Sequence, residues 1–302
     1  MAKPILNEPQ FLTEAGAFAY VEARLWPKGP VCPFCGGTER IGALKGKTTR
    51  PGLYKCYPCQ KPFTVRMGTL FEDSHLPLHL WLQVIHLMCA SKKGIATRQI
   101  QRMLNCSMKT AWFLTHRIRL AMDPGAATPI GGEGKTVEID ETELGRSRHT
   151  RPRPRSENKK VLSLVERGGP IRSVSLDHRG IGPRLYKHLD KRSRLVSDSA
   201  PVYKFTGAAS HEAVDHSKFE WTRGDVHTNT LEGFFSVFKR GIIGVYQHVD
   251  SKHFERYLAE FDFRMNTRAK LGFNDKQRAE IALAGVKGKR LTYETTQSGV
   301  QA

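Results

Sequence analysis

The sequence predicts an α/β (α+β) fold, a mixed sheet with helices packed on it, preceded by a small cysteine-held module and a helical region. Three observations predict it. Two tight cysteine pairs lie in a segment, residues 28–66, too poor in aliphatic side chains to build a core of its own. Apolar residues then recur at helical spacing over residues 75–123. Past the Pro/Gly-rich stretch DPGAATPIGGEG (Asp123–Gly134) the pattern changes to strands alternating with helices.

Taken in order, residues 8–27 read as a short helical lead-in with Phe11, Ala15, Phe18 and Leu25 apolar. In the helical region Leu80, Val84, Leu87 and Met88 mark one helix, Ile100, Met103 and Leu104 a second, and Ala111, Leu114, Ile118 and Met122 a third. Strands are expected at Thr136–Leu144, Lys160–Glu166, Ile171–Leu176 and Arg194–Asp198, with Gly168-Gly169-Pro170 turning the second into the third. Helices are expected at Gly182–Leu189, Ala200–Phe205, Thr230–Arg240 and Lys252–Asn266. There are no internal repeats.

Composition narrows the function classes. No apolar run is long enough for a membrane span, and Met1–Gln10 lacks the layout of a secretory signal, so a cytoplasmic protein is expected. The 48 Lys+Arg against 29 Asp+Glu leave a formal charge of +19. A chain this basic favours an acidic partner, and nucleic acid is the commonest, because lysine and arginine displace condensed counterions from phosphates.

Cys32-Pro-Phe-Cys35 and Cys56-Tyr-Pro-Cys59 stand twenty residues apart. Each C-x-x-C turn aims two sulfurs at one centre, and two turns supply the four thiolates of a tetrahedral structural zinc site, one ion per chain. Four protein ligands leave no open position for a substrate. Cys89 and Cys106 sit singly in helical stretches and read as small packing residues.

A helix opening near Gly94, a turn at Asn105-Cys106-Ser107 and a second helix from Met108 fit a helix-turn-helix. Its second helix carries Lys109, Arg117 and Arg119 as candidate DNA contacts; plain core packing explains such a pattern as well. Three acids stand out further on. Asp140 lies inside an apolar strand and Asp198 ends another, positions costly for a carboxylate that is neither paired nor metal-bound. Glu232 shares one helix face with Ser236 and Lys239, opposite Leu231, Phe234, Phe235 and Phe238. Two strand aspartates and a helix glutamate can converge on two hard cations, magnesium or manganese, that drive an in-line phosphoryl displacement, with Lys239 placed to hold a phosphate. Asn229-x-x-Glu232 equally reads as a capping box at the start of that helix. Glu138 and Glu141 flank Asp140 but point to the other face or lie further along the strand.

VEIDETELG (137–145), LVSDSAPVY (195–203) and VHTNTLEGFFSVFKRGIIGVYQHV (226–249) resemble the catalytic signatures of bacterial insertion-sequence transposases, the ISXO2-like group above all. CPFCGG…YKCYPCQKPFTVRMGTLFEDS is similar to the zinc ribbon of that group, and KTAWFLTHRIRLAM to its helical stretch. The resemblance spans residues 12 to 268. It implies a ribonuclease-H-like catalytic domain of the DDE type, with Asp140 and Asp198 as the first two ligands of magnesium or manganese, two ions per site. The third position in this group is often written as Asn with a downstream Lys, which Asn229 and Lys239 match; in related eukaryotic transposases a Glu three residues on fills it, which Glu232 matches. A carboxylate is the stronger ligand for a hard cation, so Glu232 is expected as the metal ligand with Asn229 beside it.

The expected organisation is an N-terminal helix and zinc ribbon (8–72), a helix-turn-helix region (73–123), a linker (124–134), a ribonuclease-H-like domain (135–270) and a tail with room for one helix (271–302). The expected activity is metal-dependent cleavage of 3′ ends and strand transfer at terminal inverted repeats; the rival is a catalytically silent DNA-binding regulator of the same descent. Expected partners are double-stranded DNA, both the repeats and the target, and a second copy of the chain, since two DNA ends must be held together. Arg151, Arg153 and Arg155, within a run of seven Lys/Arg from Arg146 to Lys160, are expected along the DNA backbone, in a protein associated with the bacterial nucleoid.

Overall fold

Thr13, extended at the end of the single turn α1 (Pro9–Leu12), starts the first long helix, α2 (Glu14–Leu25), by accepting a hydrogen bond from the Gly16 amide (3.1 Å). The computed structural model describes residues 4–125, 128–144, 159–176, 180–198, 203 and 207–292, and the chain forms two units. One takes the chain up to Ser91, Thr97–Met122 and the chain from Asp275; the other takes Lys92–Ala96 and Asp123–Asn274.

In the first unit, β1 (Ile41–Ala43), β2 (Tyr54–Cys56) and β3 (Pro62–Phe63) pair antiparallel into a small sheet. Its strands are too short to carry a readable alternation, and none was expected. Helix α3 (Leu78–Ala90) is apolar nearly all round and buries Trp81, Val84, Ile85, Met88 and Cys89. α4 (Thr97–Leu104) and α5 (Met108–Met122) follow, joined by a turn in which Asn105 takes φ 48°, and Ser107 caps α5 by accepting from the Thr110 amide (3.1 Å). A helix from the far end of the chain, Asp275–Ala284, packs on α3 and α5.

In the second unit, β4 (Thr136–Leu144), β5 (Lys159–Glu166) and β6 (Ile171–Leu176) form an antiparallel meander. Helix α6 (Gly182–His188) then leads to β7 (Arg194–Asp198) and β8 (Ser210–Val214), which extend the sheet in parallel, giving the order β6-β5-β4-β7-β8. The sequence reading missed β8, and the helix expected at Ala200–Phe205 lies almost wholly outside the described residues. Helices α7 (Asn229–Gly241) and α8 (Phe254–Asn266) complete the unit.

Strand alternation sorts the two faces of this sheet. Val161, Val165 and Ile171 pack with Leu231, Phe234, Phe235 and Phe238 of α7 and Phe254, Leu258 and Phe261 of α8. Val137, Ile139, Leu162, Leu164 and Leu195 pack on the opposite side with Leu185, Leu189 and Tyr203. Apolar residues on both faces explain the near-continuous run Val161–Val165. No helix among the described residues is long and apolar enough to cross a membrane.

Candidate active site and metal centre

The four paired cysteines converge. Their sulfurs lie within 4.8 Å of one another, with Cys32 Sγ 3.6 Å from Cys59 Sγ and Cys35 Sγ 3.7 Å from Cys56 Sγ. A Zn–S bond of about 2.3 Å sets a tetrahedral S···S edge of about 3.8 Å. The donor set and spacing therefore fit zinc, and the small sheet supplies the frame: Cys56 ends β2, and Trp26, Tyr54 and Phe63 pack edge-on or stacked over the site at ring-centroid distances of 5.8–5.9 Å.

Of the arginines expected on the DNA face of the helix-turn-helix, two are corrected. Arg117 and Arg119 are 7% and 0% exposed. Arg117 donates to the carbonyls of Leu70 (3.0 Å), Glu72 (3.1 Å) and Leu291 (3.3 Å), so its guanidinium ties three chain segments together inside the unit. Lys109, at the start of α5, is exposed, as are Arg98 and Arg102 on α4. Arg151, Arg153 and Arg155 lie outside the described residues.

Strand register brings two of the carboxylates onto one face. β4 and β7 run parallel with Thr136 opposite Arg194 and Glu138 opposite Val196. Continued two residues past the last pair, that register carries Asp140 and Asp198 onto the same face of neighbouring strands. That face is the one α7 and α8 cover, because Asp140 is paired with Ser163, whose neighbours Val161 and Val165 pack on those helices. Glu141 points through the other side, where it accepts a hydrogen bond from the buried Tyr203 hydroxyl. Burial, followed by the negative charges of Asp198, Glu141 and Glu232, pushes the Asp140 carboxyl up to about 7, against one opposing bond from the Glu141 amide (2.8 Å). Among the described residues only the four cysteines stand close enough together to hold a metal ion; Asp140, Asp198 and Glu232 are not drawn into such a group, although carboxylate oxygens are the donors a hard divalent cation prefers.

On α7, Asn229, Glu232 and Ser236 are exposed and Lys239 half-buried, while Leu231, Phe234, Phe235 and Phe238 are buried. The capping box does not form. The N-cap is Thr228, Asn229 is the first helical residue, and Glu232 receives a 3.4 Å contact from Thr228 Oγ1 instead of reaching back to Asn229. The cap comes from β4. Glu138, 0% exposed, accepts from the Thr230 and Leu231 amides (3.0 and 3.3 Å) and from Thr230 Oγ1 (2.9 Å). Arg167 Nε donates to the same carboxylate at 2.9 Å, while the other guanidinium nitrogens reach the carbonyls of Asp225 (2.6 Å) and His227 (2.9 Å). A buried negative charge thus sits against the positive end of α7 and joins the helix carrying Glu232 to the strand carrying Asp140. Sequence reasoning missed this pair of residues; the available signal was an acid two positions from Asp140, on the same face and among apolar neighbours.

Two family models match the chain. Residues 130–266 match the model of the ISXO2-like transposase domain, and residues 12–62 that of the transposase zinc-ribbon domain. The chain is also similar to an uncharacterized protein in transposable element ISH50 of Halobacterium salinarum, 26% identical over 285 residues that cover 87% of this chain and 94% of the relative.

Proposed function

The chain belongs to the ISXO2-like transposase family, and from that premise we propose that it cuts DNA at the terminal inverted repeats of its element and joins the freed 3′ ends to target DNA. The observation that carries the reading is the placement of Asp140 and Asp198 on one face of the neighbouring parallel strands β4 and β7, with the helix bearing Glu232 tied to β4 through Glu138.

In this reading Asp140 and Asp198 hold two magnesium or manganese ions from the sheet, and Glu232 closes the site from α7. The chemistry such ions would supply there is activation of a water or 3′-hydroxyl and stabilisation of the leaving oxygen in an in-line displacement. Glu138 and Arg167 fix the start of α7 so that Glu232 is held in place before substrate arrives. Lys239, further along the face that carries Glu232, holds a phosphate of the cut strand. Asn229 neighbours the ligands at the same end of the helix. The zinc ribbon and the helix-turn-helix bind the repeat, with Lys109 among the contacts, and two chains hold the two ends.

The test is incubation of the protein with DNA carrying the element ends and manganese. Nicks confined to the repeat termini, followed by joined products when target DNA is added, are expected. Repeat-specific binding with no nick under any divalent metal would make the chain a silent regulator and overturn the reading.

A further inference from the structure

Between β8 and α7 the chain makes a turn that the catalytic reading does not use. It begins at Asp215, one residue past Val214, which is the strand partner of Asp198, and it ends where Val226–Thr228 lead into the helix bearing Glu232. The turn is held firmly. Asp215 accepts from Ser217 N (3.1 Å) and Ser217 Oγ (2.5 Å) and pairs with Lys218 (3.2 Å). The Glu220 amide donates to the Asp215 carbonyl (3.1 Å), and the Asp215 amide donates to Glu220 Oε2 (3.2 Å). Arg223 reaches the Ala213 carbonyl (2.7 Å), and its backbone exchanges two hydrogen bonds with Val226, both 3.0 Å.

At its tip the turn presents aromatic rings to solvent. Phe219 takes φ 61° and is 83% exposed, the highest exposure of any large apolar side chain among the described residues. Trp221 is 56% exposed and leans one face on the His216 ring, centroids 4.7 Å apart. The turn carries no excess of positive charge, with Asp215, Glu220 and Asp225 against Lys218 and Arg223, so it is no phosphate rail in a chain whose net charge is +19. Two exposed rings on a hydrogen-bonded turn without excess positive charge suit the flat, uncharged face of a nucleobase. A base inside a duplex is already stacked on its neighbours, so the rings can take only one that is unpaired or turned out of the helix.

We propose that Phe219 and Trp221 form a stacking platform for an unpaired nucleobase of the DNA held beside the catalytic carboxylates. The proposal rests on the DNA-cutting reading for its ligand, and it makes this turn the element that distinguishes a frayed or distorted DNA end from intact duplex.

The test uses the full-length protein and two short duplexes, one with a fluorescent aminopurine unpaired at its end and one with the same base paired. Wild type quenches the unpaired fluorophore. Phe219→Ala and Trp221→Ala lose the quenching and bind the unpaired duplex roughly tenfold more weakly, while affinity for the paired duplex and the melting temperature stay unchanged. Asp140→Ala keeps the quenching. Equal quenching by wild type and Phe219→Ala overturns the platform whether or not the wild type nicks DNA. Conversely, a wild type that never nicks yet quenches through Phe219 supports the platform and overturns the cutting activity alone. Retained quenching together with a shift of Phe219→Ala from dimer to monomer in sedimentation assigns the rings to a second copy of the chain and also overturns the proposal.

Discussion

Replacing Glu138 by glutamine tests how the helix bearing Glu232 is held. Both carboxylate oxygens are in use: Oε1 accepts from Thr230 Oγ1 and Arg167 Nε, and Oε2 from the Thr230 and Leu231 amides. A glutamine has one acceptor oxygen, so its NH2 group must face either the guanidinium or the helix amides. One charge-assisted bond is worth about 1.5–3 kcal/mol, and truncating one partner of a buried ion pair costs about 3–5 kcal/mol. Glu138→Gln is therefore expected to destabilise the start of α7 by about 2 kcal/mol and Glu138→Ala by about 4 kcal/mol. Amide exchange at Thr230 and Leu231 reads this locally: the glutamine variant exchanges roughly thirtyfold faster there, with the zinc ribbon unaffected. DNA cleavage falls with it while repeat binding persists. Exchange within a factor of two or so of wild type at both amides would refute the reasoning, because a cap of that strength cannot be lost silently.

Three further outcomes are expected. Cys56→Ser loses the zinc of the chain by elemental analysis and unfolds the β1–β3 module; unchanged zinc content would remove the ribbon assignment. Arg117→Ala leaves three carbonyls without their donor and lowers stability by about 3 kcal/mol, whereas Lys109→Ala stays within about 0.5 kcal/mol in denaturation but weakens DNA binding and reduces its salt dependence by about one ion; the reverse pattern would restore Arg117 to the DNA face. Asp262 is buried, which pushes its carboxyl up to about 7 despite bonds from Ser173 N (2.6 Å) and Ser173 Oγ (2.7 Å). The native state keeps this proton over a range in which the unfolded chain has lost it, so stability falls as pH rises from about 4 to about 7 and levels off above. Asp262→Asn flattens that slope, by up to about 4 kcal/mol across the range, in denaturation curves measured at successive pH values; identical slopes in the two proteins would contradict the assignment.

β4 and β5 were legible because Val137, Ile139 and Val161–Val165 must be buried by any fold. β8 was not, because it is an edge strand whose Ser-His-Glu-Ala-Val buries only Val214. The cysteines announced a metal through spacing alone, while the three small strands around them have no periodicity to read. Asp140, Asp198 and Glu232 were legible as acids in apolar or helical settings, but the parallel register that brings the first two together is a tertiary fact. The same holds for Glu138, which caps a helix 92 residues away in sequence. Arg117 misled because a charge on a helix does not reveal whether remote carbonyls, here of Leu70 and Leu291, will surround it.

Cleavage by single alanine variants tests most directly whether Asp140, Asp198 and Glu232 form one metal-dependent cutting site. With element-end DNA and magnesium or manganese, Asp140→Ala and Asp198→Ala are each expected to abolish nicking and joining while repeat binding stays at the wild-type level. Glu232→Ala does the same, and Asn229→Ala retains most activity. Nicking at the wild-type rate by Asp140→Ala or Asp198→Ala would contradict the account, and an active Glu232→Ala beside a dead Asn229→Ala would move the third ligand to Asn229.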